Sequence, residues 1–257
     1  TIGRKNANYV NMKDSAILSK IIGNYSGLSS DVAATETVYK ELVQYYCSDW
    51  DFLLSRAEVN GLLTIVSSGK VSVKAPDTGT AAQLKVTYGE DLISFHADTD
   101  ARTQFTAVGS ASWDLATQAV VKQSVTPQTL NSQGNLDSAT LASIAGPSSF
   151  GLQTGAPLVS AALKSWATGQ QIKAGLARIR GKMTFQGPAK AKIGTLLEVE
   201  GVGDRFNGSV FVSGVQHELS TGNWETEVTF GMSPDWFAER RDLDAPPASG
   251  LLPGVGG

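Results

Sequence analysis

The chain has 257 residues, of which 41% are hydrophobic and 18% charged, and a formal net charge of −3 from 21 basic and 24 acidic side chains. That length supports a core without disulfide staples. The composition excludes a disordered chain, the charge excludes a strongly basic nucleic-acid binder, and no apolar run approaches the ~20 residues of a membrane span. Cys47 is the only cysteine, so an internal disulfide and a Cys-based metal cage are excluded. The two histidines, His96 and His217, are too far apart in sequence for an HExxH zinc pair.

In chain order, the first helix is expected over residues 12–23, capped by Asn11, with Asp14 near the positive end of its dipole. Ile17, Leu18, Ile21 and Ile22 form its apolar stripe, and Gly23 ends it. Val38 to Tyr46, rich in β-branched and aromatic residues, reads as a strand. Ser48 then caps a second helix, with Asp51 three residues on and Gly61 as the stop. Short strands follow at Leu62–Ser67 and Val71–Lys74 around a Ser68-Gly69 turn.

A β pattern continues at Leu84–Val86, Leu92–His96, Thr103–Ser112 and Gln118–Val125. Residues 126–156 read as an irregular connection holding one short helix near Asp137–Ile144. Pro157 opens a long helix whose stripe runs through Leu158, Ala162, Trp166, Gly169, Ile172 or Lys173, and Leu176. Strands resume at Ile179–Phe185 and Leu196–Val199, and a hairpin turns at Thr221-Gly222-Asn223. Residues 245–257 hold three prolines and four glycines and read as a linker, so a fragment of a longer protein is expected. The expected division is 1–125 as a first barrel-like and helical part, 126–156 as the connection, 157–244 as a second barrel-like part, and 245–257 as the linker. The fold class is α+β, small β-barrels with appended helices.

The sequence carries few motifs of known chemistry. There is no phosphate-loop lysine motif and no nucleophile elbow. Gly201-Val202-Gly203 reads as a turn rather than a dinucleotide loop. Asp49 and Asp51 sit in a first helical turn, where carboxylates favour the dipole. Cys47 has no histidine near it in sequence, and His96 and His217 read as structural strand residues. No catalytic residue, metal ligand or cofactor is expected. Charge, however, is segregated. Residues 138–197 carry seven basic residues and no acid, whereas residues 198–244 carry ten acidic and three basic. Two readings are open: the charges mix on solvated faces, or they form an oriented subunit interface in which Lys164, Lys173, Arg178, Arg180 and Lys182 oppose Glu225 and Glu227.

The run Gln44-Tyr45-Tyr46-Cys47-Ser48-Asp49-Trp50-Asp51-Phe52, continuing to Arg56, Glu58 and Gly61, resembles the signature of the valine–glycine repeat (VgrG) spike proteins, which the phage late control protein D family shares. Gly89-Glu90-Asp91-Leu92 leading to Asp100-Ala101-Arg102, Ser112-Trp113-Asp114, and Gly194 to His217 with Gly203, Asp204, Arg205, Phe206 and Gly208 resemble further stretches of that family. The resemblance implies the hub at the base of the spike of a contractile injection system: a phage tail, a type VI secretion system or an extracellular tail-like particle. It implies a homotrimer of two small barrels per chain, joining a three-fold spike to a six-fold tube. It also implies assembly in the cytoplasm, with tube protein, baseplate components and a spike tip or effector cargo as partners. Ser48, Asp49, Asp51, Phe52, Arg56 and Glu58 take fold-setting roles in this reading: cap, core anchor and ion pairs. The family's first barrel portion, its neck and its needle have no counterpart in this sequence. The competing reading is a carbohydrate- or receptor-binding tail module that uses exposed aromatic side chains; a hydrolase is disfavoured by the missing constellations.

Overall fold

The computed structural model describes residues 3–128, 130–145, 149–187 and 190–240. The 245–257 linker lies outside them, as do residue 129 and residues 146–148 of the connection. Four sheets and a few helices form an α+β fold with a barrel-like body.

The chain starts as a strand, β1 (Lys5–Lys13), which pairs antiparallel with β3 (Val38–Cys47) in a two-stranded ribbon. This corrects the first expectation. Asn11 lies inside β1 with φ of 51° and caps nothing, and α1 (Asp14–Gly23) is preceded by Lys13 with no side-chain cap bond. Asp14 is fully buried because it answers Arg56 of a later helix, not the helix dipole alone. Ile17, Leu18, Ile21 and Ile22 are buried against Tyr9, Phe52, Leu53, Val71 and Val73. A small sheet of order β2-β5-β4 completes this unit, from β2 (Ser29–Val32), β4 (Leu63–Ser67) and β5 (Lys70–Lys74). Ser68 and Gly69 both take positive φ, 48° and 75°, as a two-residue hairpin turn requires.

Between β3 and β4 lies α2 (Asp49–Val59). Its C-terminal end crosses α4 (Ser160–Ala177) at Gly61 and Gly169, each Cα packed against the other's backbone. A Cβ on Gly169 would strike the Glu58 carbonyl at 2.6 Å, which explains a glycine in mid-helix. α4 buries more than a stripe: Ala162, Leu163, Ala167, Gln170, Gln171, Lys173, Ala174 and Leu176 are all covered.

One covering element was not expected. Within the supposedly irregular connection, β10 (Phe150–Thr154) runs parallel to β8 (Val108–Asp114), which pairs on its other side with β9 (Ala119–Val125). β8 begins at Val108, so residues 103–107 of the expected strand are not in it. The Ser110 and Ser112 hydroxyls donate to the Leu163 and Leu158 carbonyls, seating the start of α4 on this sheet. The short helix of the connection is α3 (Ser138–Ala145).

The six-stranded sheet has the order β6-β12-β13-β14-β11-β7. Its strands are β6 (Lys85–Thr87), β7 (Leu92–Thr99), β11 (Ile179–Gln186), β12 (Leu196–Glu200), β13 (Gly208–Ser220) and β14 (Asn223–Phe230). The two outermost strands are consecutive in sequence, joined only by residues 88–91, so the sheet curls into a half-barrel. Met183, Phe185, Val199, Val210, Val212, Val228 and Phe230 fill it, with Phe95 stacked on Phe230 at 5.6 Å. Gly181 has no side chain because the β7 backbone and the Phe230 ring occupy that space. A last short helix, α5 (Phe237–Arg240), returns to α2.

Candidate functional site: a satisfied polar node and a projecting hairpin

Two regions concentrate polar and aromatic side chains. The first is the face of α2. Ser48 takes the cap: its Oγ accepts from the Asp51 N–H at 3.1 Å and donates to the Asp51 carboxylate at 2.6 Å. The buried Asp49 carboxylate receives Lys5 Nζ at 2.7 Å, the Tyr25 hydroxyl at 2.5 Å and Gln44 Nε2 at 3.0 Å. Burial alone would raise the Asp49 pKa, but those three donors outweigh it and hold the carboxyl below its ordinary value. Phe52 is buried and stacked on Tyr9 at 5.8 Å.

Further along the helix, Arg56 grips Asp14 through Nε at 2.7 Å and a terminal nitrogen at 2.8 Å, and Asn60 adds a third donor at 2.8 Å. The guanidinium also lies 4.9 Å from the Tyr39 ring centroid. Burial disfavours its charge, yet the Asp14 carboxylate more than offsets this and raises the Arg56 pKa. Glu58 receives Lys173 Nζ at 2.6 Å and the Phe237 N–H at 2.7 Å, while Lys173 lies over the Trp236 ring. The node therefore ties β1, α1, α4 and α5 to one helix. Its carboxylates are all occupied by donors from within the chain.

The segregated charges are largely spent in the same way, which corrects their expected placement. Lys173 and Arg178 are buried and present no surface charge. Arg178 donates to the carbonyls of Asn131, Gln133 and Leu136, and burial lowers its pKa. Arg180 approaches Asp100 at 3.7 Å, and Lys182 pairs with Glu227 at 2.8 Å across the β11–β14 ladder. Lys164 stands exposed on α4. Basic and acidic segments thus meet inside one chain at Lys182 and Glu227.

His96 is exposed on β7 beside Asp98. The Cys47 thiol is partly buried, which pushes its pKa up. Among the described residues, no group of three His, Cys, Asp or Glu could hold a metal ion. No described helix is long and apolar enough to cross a membrane.

The second region is the far end of the β13–β14 hairpin. Residues 216–224 are all exposed. Leu219 faces Trp224 across the ladder, and His217 meets the Trp224 ring edge-on at 6.1 Å. On the other face Glu218 stands directly opposite Glu225. The sequence pattern places the hairpin and Glu225 but does not mark Leu219 and Trp224 as an exposed pair. Alternation alone assigns them to the barrel side, and only the length of the ladder shows that they run past the barrel.

The fold is that of tail proteins. The chain superposes on a 43 kDa prophage tail protein from Shewanella oneidensis with a TM-score of 0.63 at 11% identity, over 88% of this chain and 67% of that one. It superposes on a tail protein from Neisseria meningitidis with a TM-score of 0.62 at 14% identity, over 91% of this chain and 71% of that one. An Escherichia coli type VI secretion component, described as structurally similar to the phage T4 tail proteins gp27 and gp5, matches with a TM-score of 0.54 at 11% identity; 90% of this chain spans 51% of that one. In sequence, residues 1–221 match the family described as Alg8 N-terminal domain, and the chain belongs to that family. No curated protein matches it.

Proposed function

We propose that the chain is a non-enzymatic structural component of a contractile injection system, forming the hub at the spike base. In this reading it is of the VgrG type and works as a homotrimer between the hexameric tube and the puncturing spike. It assembles in the cytoplasm with tube and baseplate proteins, and a spike tip or cargo follows it. The observation that carries the reading is the shared fold: about nine-tenths of the chain aligns with tail proteins and with a type VI secretion component. Two features support it. The α2 node uses its charges to fix one rigid arrangement, as a part that transmits force needs. The half-barrel and the β1–β3 ribbon leave strand edges that neighbouring copies can cover.

The test is the mass of the purified chain in solution, together with its co-sedimentation with tube protein. A trimer that binds tube is the expected result. A chain that stays monomeric at every accessible concentration and ignores tube protein overturns the reading.

A further inference from the structure

The β13–β14 tip carries features that its own chain does not use. Leu219 is 66% exposed and Trp224 39%, although they form a cross-strand apolar pair. Glu218 and Glu225 are directly opposed, which costs a hairpin stability unless a cation answers them. Glu227, two residues on, has Lys182; among the described residues Glu225 has the Asn223 amide and no cation. Trp224 is nevertheless held in place, by the Gly187 N–H on its carbonyl at 2.9 Å and by the His217 ring. A fixed tryptophan with a leucine beside it and carboxylates behind it has the form of an anchor.

A socket of matching chemistry lies at the opposite end of the same sheet. A cavity of about 190 Å³ opens between the half-barrel and the β4 edge, walled by Leu54, Leu63, Ile65, Ile193, Phe211 and Met232. Apolar cavities of about 150 Å³ take up a benzene ring, so this one has room for an indole. An indole N–H needs an acceptor when buried, and Ser213 lies in the lining. Ile193 stands 47% exposed. Lys192 adjoins it, and Lys190 is in the same loop; both are exposed and neither is in an ion pair with a described residue.

The tip cannot fill this socket within its own molecule. Val212 pairs with Phe230, next to the socket, whereas Trp224 is six residues further along β14, about 20 Å away in an extended strand. We propose that a second copy of this chain seats its β13–β14 tip in the socket, with Trp224 and Leu219 on the apolar wall and Glu218 and Glu225 answered by Lys190 and Lys192. Such a contact is head-to-tail, and it closes into a ring when the rotation permits. The proposal rests on the self-association in the reading above and assigns it a surface.

The test uses the full chain in sedimentation velocity at low and high salt. Trp224→Ala should weaken self-association at least tenfold. Glu218→Lys with Glu225→Lys, and separately Lys190→Glu with Lys192→Glu, should each weaken it about tenfold, and high salt should weaken the wild type. A chain carrying all four reversals should recover. Circular dichroism melting of each variant separates lost contact from lost fold. Self-association that all these changes leave intact overturns the proposal and leaves the trimer standing. So do four reversals whose losses add instead of cancelling. Loss of tube binding with self-association unchanged assigns the tip to the tube protein and equally overturns it. A wild-type chain that never associates sinks the trimer reading itself.

Discussion

The α2 face and the β13–β14 tip both gather charged and aromatic side chains, yet they treat them in opposite ways. On α2, Asp14, Asp49, Glu58, Arg56 and Lys173 meet partners drawn from distant parts of the chain, and they are mostly buried. At the tip, two carboxylates face each other and two large apolar side chains face water. The first arrangement lowers the energy of one folded chain. The second lowers nothing until another surface arrives. Residues in a family-like signature therefore need not be residues that touch a partner: here the signature run lies on the helix that holds the chain together, and the unspent groups lie elsewhere.

The largest effect should come from breaking the best-buried pair of the node. Arg56→Ala leaves the Asp14 carboxylate buried without its bidentate cation, with only neutral donors such as Asn60 in reach, and loss of one partner of a buried pair typically costs about 3–5 kcal/mol. Denaturant titration should show that loss. Adding Asp14→Leu should return part of it, because the uncompensated charge is then gone. A loss below about 1 kcal/mol would mean that the node is ornamental and the comparison with the tip has no basis.

Next comes pH. The Asp49 carboxyl titrates below its usual range in the fold: burial pushes it up, and Lys5, Tyr25 and Gln44 pull it further down. As pH falls the unfolded chain therefore takes up the proton first. The stabilisation is whole above the ordinary aspartate value, about 3.9, and is lost as pH falls through the folded value. Asp49→Asn should flatten the acid side of the stability profile measured by urea titration. An unchanged acid limb would remove Asp49 from the node. Smaller again is Ser48→Ala, which removes the cap of α2 and should cost about 1 kcal/mol.

That ordering also tracks what could be read from sequence. The Ser48 cap acts over three residues, so a local pattern suffices to place it. The apolar stripe of α1 is likewise a property of adjacent turns. The Arg56–Asp14 pair joins residues 42 apart and Lys173–Glu58 joins residues 115 apart; spacing in the chain carries no trace of either. The same blindness put Lys173 and Arg178 among the surface charges, because burial of a cation is decided by elements that fold over it from elsewhere. It also assigned Asn11 to a helix cap, where pairing with β3 overrode the local preference. β10 escaped notice because a short parallel edge strand of Phe, Gly, Leu, Gln and Thr has no turn next to its partner to announce it.

The smallest expected change in stability sharpens the comparison most. Trp224→Ala removes a large aromatic side chain, a substitution that costs several kcal/mol in a core. Here the side chain lies past the barrel and stands 39% exposed, with the His217 ring edge-on to it and Leu219 opposite it in the ladder. The isolated chain should therefore lose no more than about 1 kcal/mol, near the ordinary range for surface substitutions, while its self-association falls. A stability loss as large as that of Arg56→Ala would place Trp224 in the structural class with the α2 node, and the division between internally spent and externally offered groups would have to be redrawn.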